Sequence, residues 1–216
     1  MLRKLFWDDP YLTQLDTEVV TVDGDAVTLA ATIIYAFSGG QESDHGTIGR
    51  HEVLAARKEG ADIVYTLPPG HSLVPGMKVA TAIDWERRYR LMRLHFAAEI
   101  VLEIVYRDLG PIEKIGAHIA ADKARIDFAR AEPVTPELPT LTARANAIIA
   151  ADLPIASAFS DEALGRRFWQ VPGFDPVPCG GTHLRRTGEV GAITLKRRNI
   201  GKGKERIEIV LADDAC

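Results

Sequence analysis

A cysteine and a histidine four positions apart, in Pro178-Cys179-Gly180-Gly181-Thr182-His183, restrict this chain more than any other stretch. Thiolate and imidazole are the donors that a borderline-soft ion such as zinc prefers. The glycine pair between them lets the backbone turn tightly, so both side chains can face one point. The segment is only half a site. Structural zinc takes four protein ligands, and catalytic zinc usually takes three and a water. A fold that uses this segment must bring donors to it from elsewhere in the chain.

The other half is sought in Trp85 to Val105. From Leu91 onward this stretch reads as a helix that is apolar nearly all round, which predicts burial. His95 and Glu99 stand at i and i+4 and share one face. Ionisable groups on a buried helix need a partner or a metal, because an isolated buried charge is costly. Taken alone, the pair reads as two groups that satisfy each other or a neighbouring backbone group. With Cys179 and His183 added, a metal site becomes the better reading.

These segments together resemble the editing domain of alanyl-tRNA synthetase and the freestanding alanyl-tRNA editing proteins. That family pairs His-x-x-x-His on a helix with a later Cys-Gly-Gly-Thr-His, and the second motif stands intact at Cys179–His183. Ser38-Gly39-Gly40-Gln41, followed by Asp44-His45-Gly46, resembles its glycine-rich motif. Ile83-Asp84-Trp85-Glu86-Arg87-Arg88-Tyr89 and Met92-Arg93-Leu94-His95 resemble the start of its ligand helix. Gly116-Ala117-His118-Ile119 and Arg125-Ile126-Asp127-Phe128 resemble its following strand pair. The likeness runs from about Val27 to Leu211. Glu99 is a departure, standing where the family pattern has its second helix histidine.

The resemblance implies an α+β fold in two parts. Residues 1–85 would form a small β-barrel with the glycine-rich loop. Residues 86–216 would form a metal-site editing domain, related to the second additional domain, with an antiparallel sheet packed on the buried helix. The residues agree with the first part. Glu18-Val19-Val20-Thr21-Val22 and Ala26 to Tyr35 flank Asp23-Gly24, a tight hairpin signal. Ala61–Leu67 and Met77–Ile83 are further strands, punctuated by Pro68-Pro69-Gly70 and Pro75-Gly76. Later, Ile115–Ala120 with Ala124–Ala129, and Gly191–Arg198 with Glu205–Leu211, read as hairpins. Leu141–Ala151 reads as a second helix, and Asp161–Leu164 as a short one capped by Ser160.

A net charge of −4 argues weakly against a nucleic-acid partner, but distribution matters more. Between Leu184 and Arg206 stand Arg185, Arg186, Lys196, Arg197, Arg198, Lys202, Lys204 and Arg206, against Glu189 and Glu205. Arg87, Arg88, Arg90 and Arg93 form a second cluster. Each patch alone reads as a solvated charged surface, yet either is a candidate for phosphates. Gly201-Lys202-Gly203-Lys204 lacks the pattern of a phosphate-binding P-loop, which excludes a nucleotide triphosphatase. No apolar run is long enough to cross a bilayer, and acids and a proline break the N-terminus before an apolar core forms. The expectation is a cytoplasmic protein with no membrane partner. Two cysteines, one of them Cys216, make no disulfide framework.

The function implied by the resemblance is hydrolysis of tRNA(Ala) wrongly charged with serine or glycine. A pocket for alanine cannot easily exclude glycine, and an added hydroxyl gives limited discrimination, so a second site must correct the error. One zinc ion would be held by His95, Glu99, Cys179 and His183. Glu99 is open to three readings: an oxygen ligand, a general base beside a three-ligand zinc, or the mark of a lost metal site. Gln41 and the backbone of Gly39 and Gly40 would contact the aminoacyl group. Arg185, Arg186, Lys202 and Lys204 would hold the RNA through phosphates. Ser38, His45 and His118 are not assigned roles. The alternatives are a metal-dependent hydrolase of a small ester or amide, and a non-catalytic RNA-binding homologue.

Overall fold

Gly24, in the left-handed region at φ 58°, turns the chain back on itself at the predicted hairpin. The computed structural model describes residues 2–212, so Cys216 lies outside the described residues. The fold is α+β and divides into two compact units. One takes in the described residues up to Ser38 with Glu42–Tyr89, and the other takes in Gly39–Gln41 with the described residues from Arg90. Gly39–Gln41 thus belong to the second unit, although in the chain they lie between two strands of the first, Ala31–Thr32 and Gly46–Ile48.

The first unit holds β1 (Arg3–Lys4), β2 (Gln14–Asp23), β3 (Ala26–Leu29), β4 (Ala31–Thr32), β5 (Gly46–Ile48), β6 (His51–Glu52), β7 (Ala55–Glu59), β8 (Asp62–Thr66) and β9 (Lys78–Ile83). Seven of these strands form a sheet in the order β6-β5-β9-β2-β3-β8-β7, with antiparallel neighbours. Its edge strands β6 and β7 are separated by two residues of chain, so the sheet has to curl toward closure. Val19, Val27, Leu29, Ile48, Tyr65 and Leu67 fill its interior. The expected strand from Ala26 to Tyr35 breaks after Leu29. Ile33, Ile34 and Tyr35 leave the sheet yet stay buried, and the Tyr35 N–H donates to Asp44 Oδ2 at 2.6 Å.

The helix α1 (Trp85–Leu109) begins in the first unit and continues into the second. Leu91, Met92, Leu94, Phe96, Ala97, Ile100, Val101, Ile104 and Val105 are all buried, as an apolar circumference demands. Then come β10 (Lys114–Ile119), β11 (Ala124–Ala129), α2 (Leu138–Ala150), β12 (Ala156–Asp161), β13 (Arg166–Gln170), β14 (Val177–Pro178), β15 (Ile193–Asn199) and β16 (Lys204–Leu211). They build a four-stranded antiparallel sheet, β10-β11-β16-β15, and a three-stranded one, β12-β13-β14. Phe96 of α1 meets Trp169 of β13 edge to face at 5.0 Å, which seats the helix on the smaller sheet. The Asn146 side chain of α2 bonds both the N–H and the carbonyl of Ile193, fixing α2 to β15.

The predicted short helix at Asp161–Leu164 is not formed. The segment is the turn of the β12–β13 hairpin, closed by the Leu164 N–H donating to Asp161 Oδ1 at 3.0 Å. Gly165, at φ 62°, takes the left-handed conformation that returns the chain. Four residues offer too few helical hydrogen bonds to compete with a strand pair on either side. Among the described residues no helix is long and apolar enough to cross a membrane.

Candidate metal centre

The helix and the glycine turn do converge. One nitrogen each from His95 and His183 and the sulfur of Cys179 all lie within 4.8 Å of one another. His95 Nε2 is 3.2 Å from Cys179 Sγ, and His183 Nε2 is 3.3 Å from it. Glu99 stands outside that triad but against two of its members. Its Oε1 is 3.5 Å from His95 Nε2 and 3.8 Å from Cys179 Sγ.

The donor set fits zinc. Bonds of about 2.05 Å to nitrogen or oxygen and about 2.3 Å to sulfur, at tetrahedral angles, separate N from S by about 3.6 Å and N from O by about 3.4 Å. The distances from Cys179 Sγ to the two imidazoles and from Glu99 Oε1 to His95 Nε2 lie within a few tenths of an ångström of those edges. Two imidazoles, a thiol and a carboxylate are also the donor types that zinc takes.

The surroundings hold each donor in place. The Cys179 N–H donates to the Arg167 carbonyl of β13 at 2.9 Å, so the cysteine is pinned to the smaller sheet. The Trp169 Nε1–H donates to Glu99 Oε2 at 3.1 Å and leaves Oε1 toward the triad. Ser157 Oγ lies 2.9 Å from His183 Nδ1. Gly181 is needed for space. A Cβ there would run into Cε1 of His95, and would lie 2.9 Å from its Nε2 and 3.0 Å from Gln41 Oε1.

Charge follows from burial and proximity. Burial works against a charge on His95, but the Cys179 sulfur and the Glu99 carboxylate outweigh it and raise its pKa. Burial works against a charge on Glu99 as well, but His95 and the Trp169 N–H hold it below the carboxylate range. Burial, reinforced by the charge on His95, pushes His183 down to about 3. His183 is therefore a neutral imidazole at pH 7, the form that donates a lone pair to a metal.

Gln41 is fully buried in the second unit, and its Nε2 donates to Thr182 Oγ1 at 3.0 Å. Among the described residues nothing hydrogen-bonds its Oε1. The loop before it is docked on β10. The Gly40 carbonyl accepts from the Ile119 N–H at 2.8 Å, and a Cβ on Gly40 would come within 2.7 Å of the Ala117 carbonyl oxygen. Gly39 is exposed and has φ 60°.

The predicted phosphate contacts are scattered. Lys202 and Lys204 are exposed at the β15–β16 turn. Arg185 is exposed, with its N–H on Glu189 Oε1. Arg186 binds Asp152 just past the end of α2, through Nε at 2.7 Å. The cluster at the start of α1 is taken up internally. Arg88 is fully buried against Asp44 and donates to the Pro10 and Ile33 carbonyls. Arg87 pairs with Glu42, Arg90 donates to the Ala121 carbonyl, and Arg93 donates to the Val190 carbonyl. Sequence reasoning passed over Ser157, Trp169 and Thr182. Thr182 alone carried a signal, by lying inside the Cys-Gly-Gly-Thr-His motif.

The family described as Threonyl and Alanyl tRNA synthetase second additional domain matches residues 167–208. An Alanyl-tRNA editing protein AlaX-M of Pyrococcus horikoshii is 32% identical over 98% of this chain and 98% of its own length. One of the same name from Saccharolobus solfataricus is 33% identical over 96% of this chain and 98% of its own length. An Alanine--tRNA ligase of Ignicoccus hospitalis is 33% identical over 96% of this chain, which spans only 26% of that larger protein. Likeness at this level over nearly the full length of two freestanding relatives, together with the ordered motifs, shows that the chain belongs to the alanyl-tRNA editing protein family.

Proposed function

We propose that this protein hydrolyses the ester joining serine or glycine to the terminal ribose of mischarged tRNA(Ala). Water adds across the bond, the amino acid leaves as its carboxylate, and the ribose oxygen recovers a proton. A tRNA substrate implies work in the cytoplasm. The observation that carries the reading is the donor triad within 4.8 Å, in which His95 meets residues 84 and 88 positions further along the chain. The names of the full-length relatives support it.

In this reading His95, Cys179 and His183 hold one zinc ion and Glu99 Oε1 is the fourth donor, with Trp169 keeping the other oxygen occupied. When bound, zinc supplies a fixed positive charge that polarises the reacting ester or water. Gln41 acts on the substrate through Oε1, the buried acceptor without a partner, and Thr182 fixes its orientation. An amide acceptor of this kind suits the amino group or the hydroxyl of a bound seryl moiety. Exposed Gly39 brings backbone N–H groups close to the substrate, and Gly40 lets the loop sit on β10. Arg185, Arg186, Lys202 and Lys204 contribute phosphate contacts.

The test is deacylation of Ser-tRNA(Ala) and Gly-tRNA(Ala) by the wild type and by Cys179→Ala, with zinc content measured in both. Loss of rate and of zinc together is expected. Equal rates in the two proteins would sink the proposal, and turnover of free seryl esters alone would identify a small-ester hydrolase instead.

A further inference from the structure

The four-stranded sheet has one largely apolar face, with the Arg197–Glu205 ion pair at one end of it, and one charged face. Ala124, Ile126 and Phe128 of β11 and Ile207 and Ile209 of β16 are buried. The alternate positions Arg125, Asp127, Lys204, Arg206 and Glu208 therefore share the opposite face. Register sets Arg125 across from Glu208 and Asp127 across from Arg206. It sets Lys196 and Arg198 of β15 across from Glu208 and Arg206 on the other side.

The two carboxylates lie low and the cations stand over them. The side chains of Asp127 and Glu208 are 10% and 9% exposed, against 32% for Arg125, 24% for Arg206 and 63% for Arg198. Each carboxylate is shared by two cations. Asp127 accepts from Arg206 Nε at 2.7 Å and Nη2 at 2.9 Å, and also from Arg125. Glu208 accepts from Arg198 Nε at 3.0 Å and from Lys123 Nζ at 3.1 Å. Five strand cations over two carboxylates leave an excess of three positive charges, and the adjoining turn adds Asp122 and Lys123, one charge of each sign.

An ordinary solvated face leaves long side chains free. Here buried acids brace the guanidinium groups before any partner arrives, which lowers the cost of ordering them on binding. A guanidinium carries five N–H donors, more than one carboxylate engages, so the braced groups keep capacity for further oxygens. A rigid row of such donors with net positive charge suits closely spaced phosphates.

We propose that this face of the β10-β11-β16-β15 sheet docks the phosphate backbone of the tRNA acceptor arm, with Asp127 and Glu208 as the braces that orient it. The proposal rests on the tRNA-editing reading for the identity of the RNA. It is tested by measuring the binding of uncharged tRNA(Ala) to the full chain as a function of salt, for wild type and for Lys196→Glu combined with Arg198→Glu. Both side chains are exposed, so folding should survive. Affinity is expected to fall about tenfold or more at low salt, and the slope of log K against log salt to shrink by nearly one for each phosphate no longer neutralised. Zinc content should not change.

An affinity within about threefold of wild type at every salt concentration overturns the proposal, including the case in which the face serves an acidic protein. A second variant, Asp127→Asn, raises the positive charge of the face while releasing two arginines. Weaker or unchanged RNA binding supports bracing, and tighter binding overturns it. Failure here is separable from failure of the editing reading. Wild-type deacylation with no effect of the reversal removes only the docking face. Weakened RNA binding by the reversal, in a protein that deacylates no mischarged tRNA(Ala), removes only the editing reading.

Discussion

Ser157 Oγ sits 2.9 Å from Nδ1 of His183, while the other nitrogen of that ring faces Cys179 Sγ at 3.3 Å. The hydroxyl therefore contacts the ring nitrogen that the donor triad does not use. With Nδ1–H donated to Ser157, the lone pair of Nε2 is left for a metal. Outer partners of this kind typically contribute 10- to 100-fold to metal affinity, so Ser157→Ala should weaken zinc binding by roughly that factor. Competition against a chromogenic chelator measures it. An unchanged zinc affinity would mean that His183 is oriented by its packing alone.

Gly181 allows a second, steric test. Its missing side chain leaves room for the His95 ring, since a Cβ would collide with Cε1 and approach Nε2 to 2.9 Å. His95 is buried on a packed helix and cannot swing away freely. Gly181→Ala should cost about 1–3 kcal/mol of stability by overpacking. It should also lower zinc affinity more than Gly180→Ala, because a Cβ at exposed Gly180 meets no atom within 4 Å. Chelator competition and urea denaturation of both variants settle the order. Equal zinc affinities would show that the ring relaxes without moving its nitrogen.

The sequence made half of this site legible, for local reasons. Helical spacing alone puts His95 and Glu99 on one face, and the apolar residues around them announce burial. Cys179 and His183 are neighbours through a glycine turn. What could not be read was the set of partners fixed by tertiary structure. Gln41 and Thr182 are separated by 141 positions, and nothing local in either predicts their bond. Ser157 lies in Ala156-Ser157-Ala158-Phe159-Ser160-Asp161, a largely exposed strand whose pattern does not mark which side chain reaches His183. The same limit explains the misread helix at Asp161–Leu164, where local propensity lost to a strand pairing that closes across Gly165.

Arg88 shows how a charge cluster can mislead. In sequence Arg87, Arg88, Arg90 and Arg93 read as one basic patch. A helix turns about 100° per residue, so these side chains leave in different directions. Arg88 is fully buried on Asp44, whose Oδ2 also accepts the Tyr35 N–H. Removing one member of a buried pair strands the other, at about 3–5 kcal/mol. Arg88→Ala should therefore lower the urea midpoint severely, while Arg87→Ala, at a partly exposed pair, should cost under about 1 kcal/mol. Similar midpoints for the two variants would contradict the buried pairing.

Acid should loosen the four-stranded sheet through Asp127, Glu205 and Glu208. Burial alone would raise the pKa of Asp127 and Glu208, but Arg206 with Arg125, and Arg198 with Lys123, outweigh it and hold both low. At Glu205 the hydrogen bonds from Arg197, at 2.5 and 2.6 Å, are the main cause of lowering. Each carboxylate thus stays ionised in the folded chain at a pH where the unfolded chain has begun to take up protons. The unfolded state then binds more protons, so stability rises with pH across that window. The contribution is complete above the unfolded carboxylate values, roughly 4 to 4.5, and is lost as pH falls through the lower folded values. Urea midpoints at several pH values from 7 down to 3, taken with chelator present so that metal release does not enter, should fall most steeply below about pH 4.5. Asp127→Asn has no carboxylate to protonate there, so its midpoint should fall less steeply than that of wild type. Parallel curves for the two proteins would show that the Asp127 ion pairs add nothing to folding.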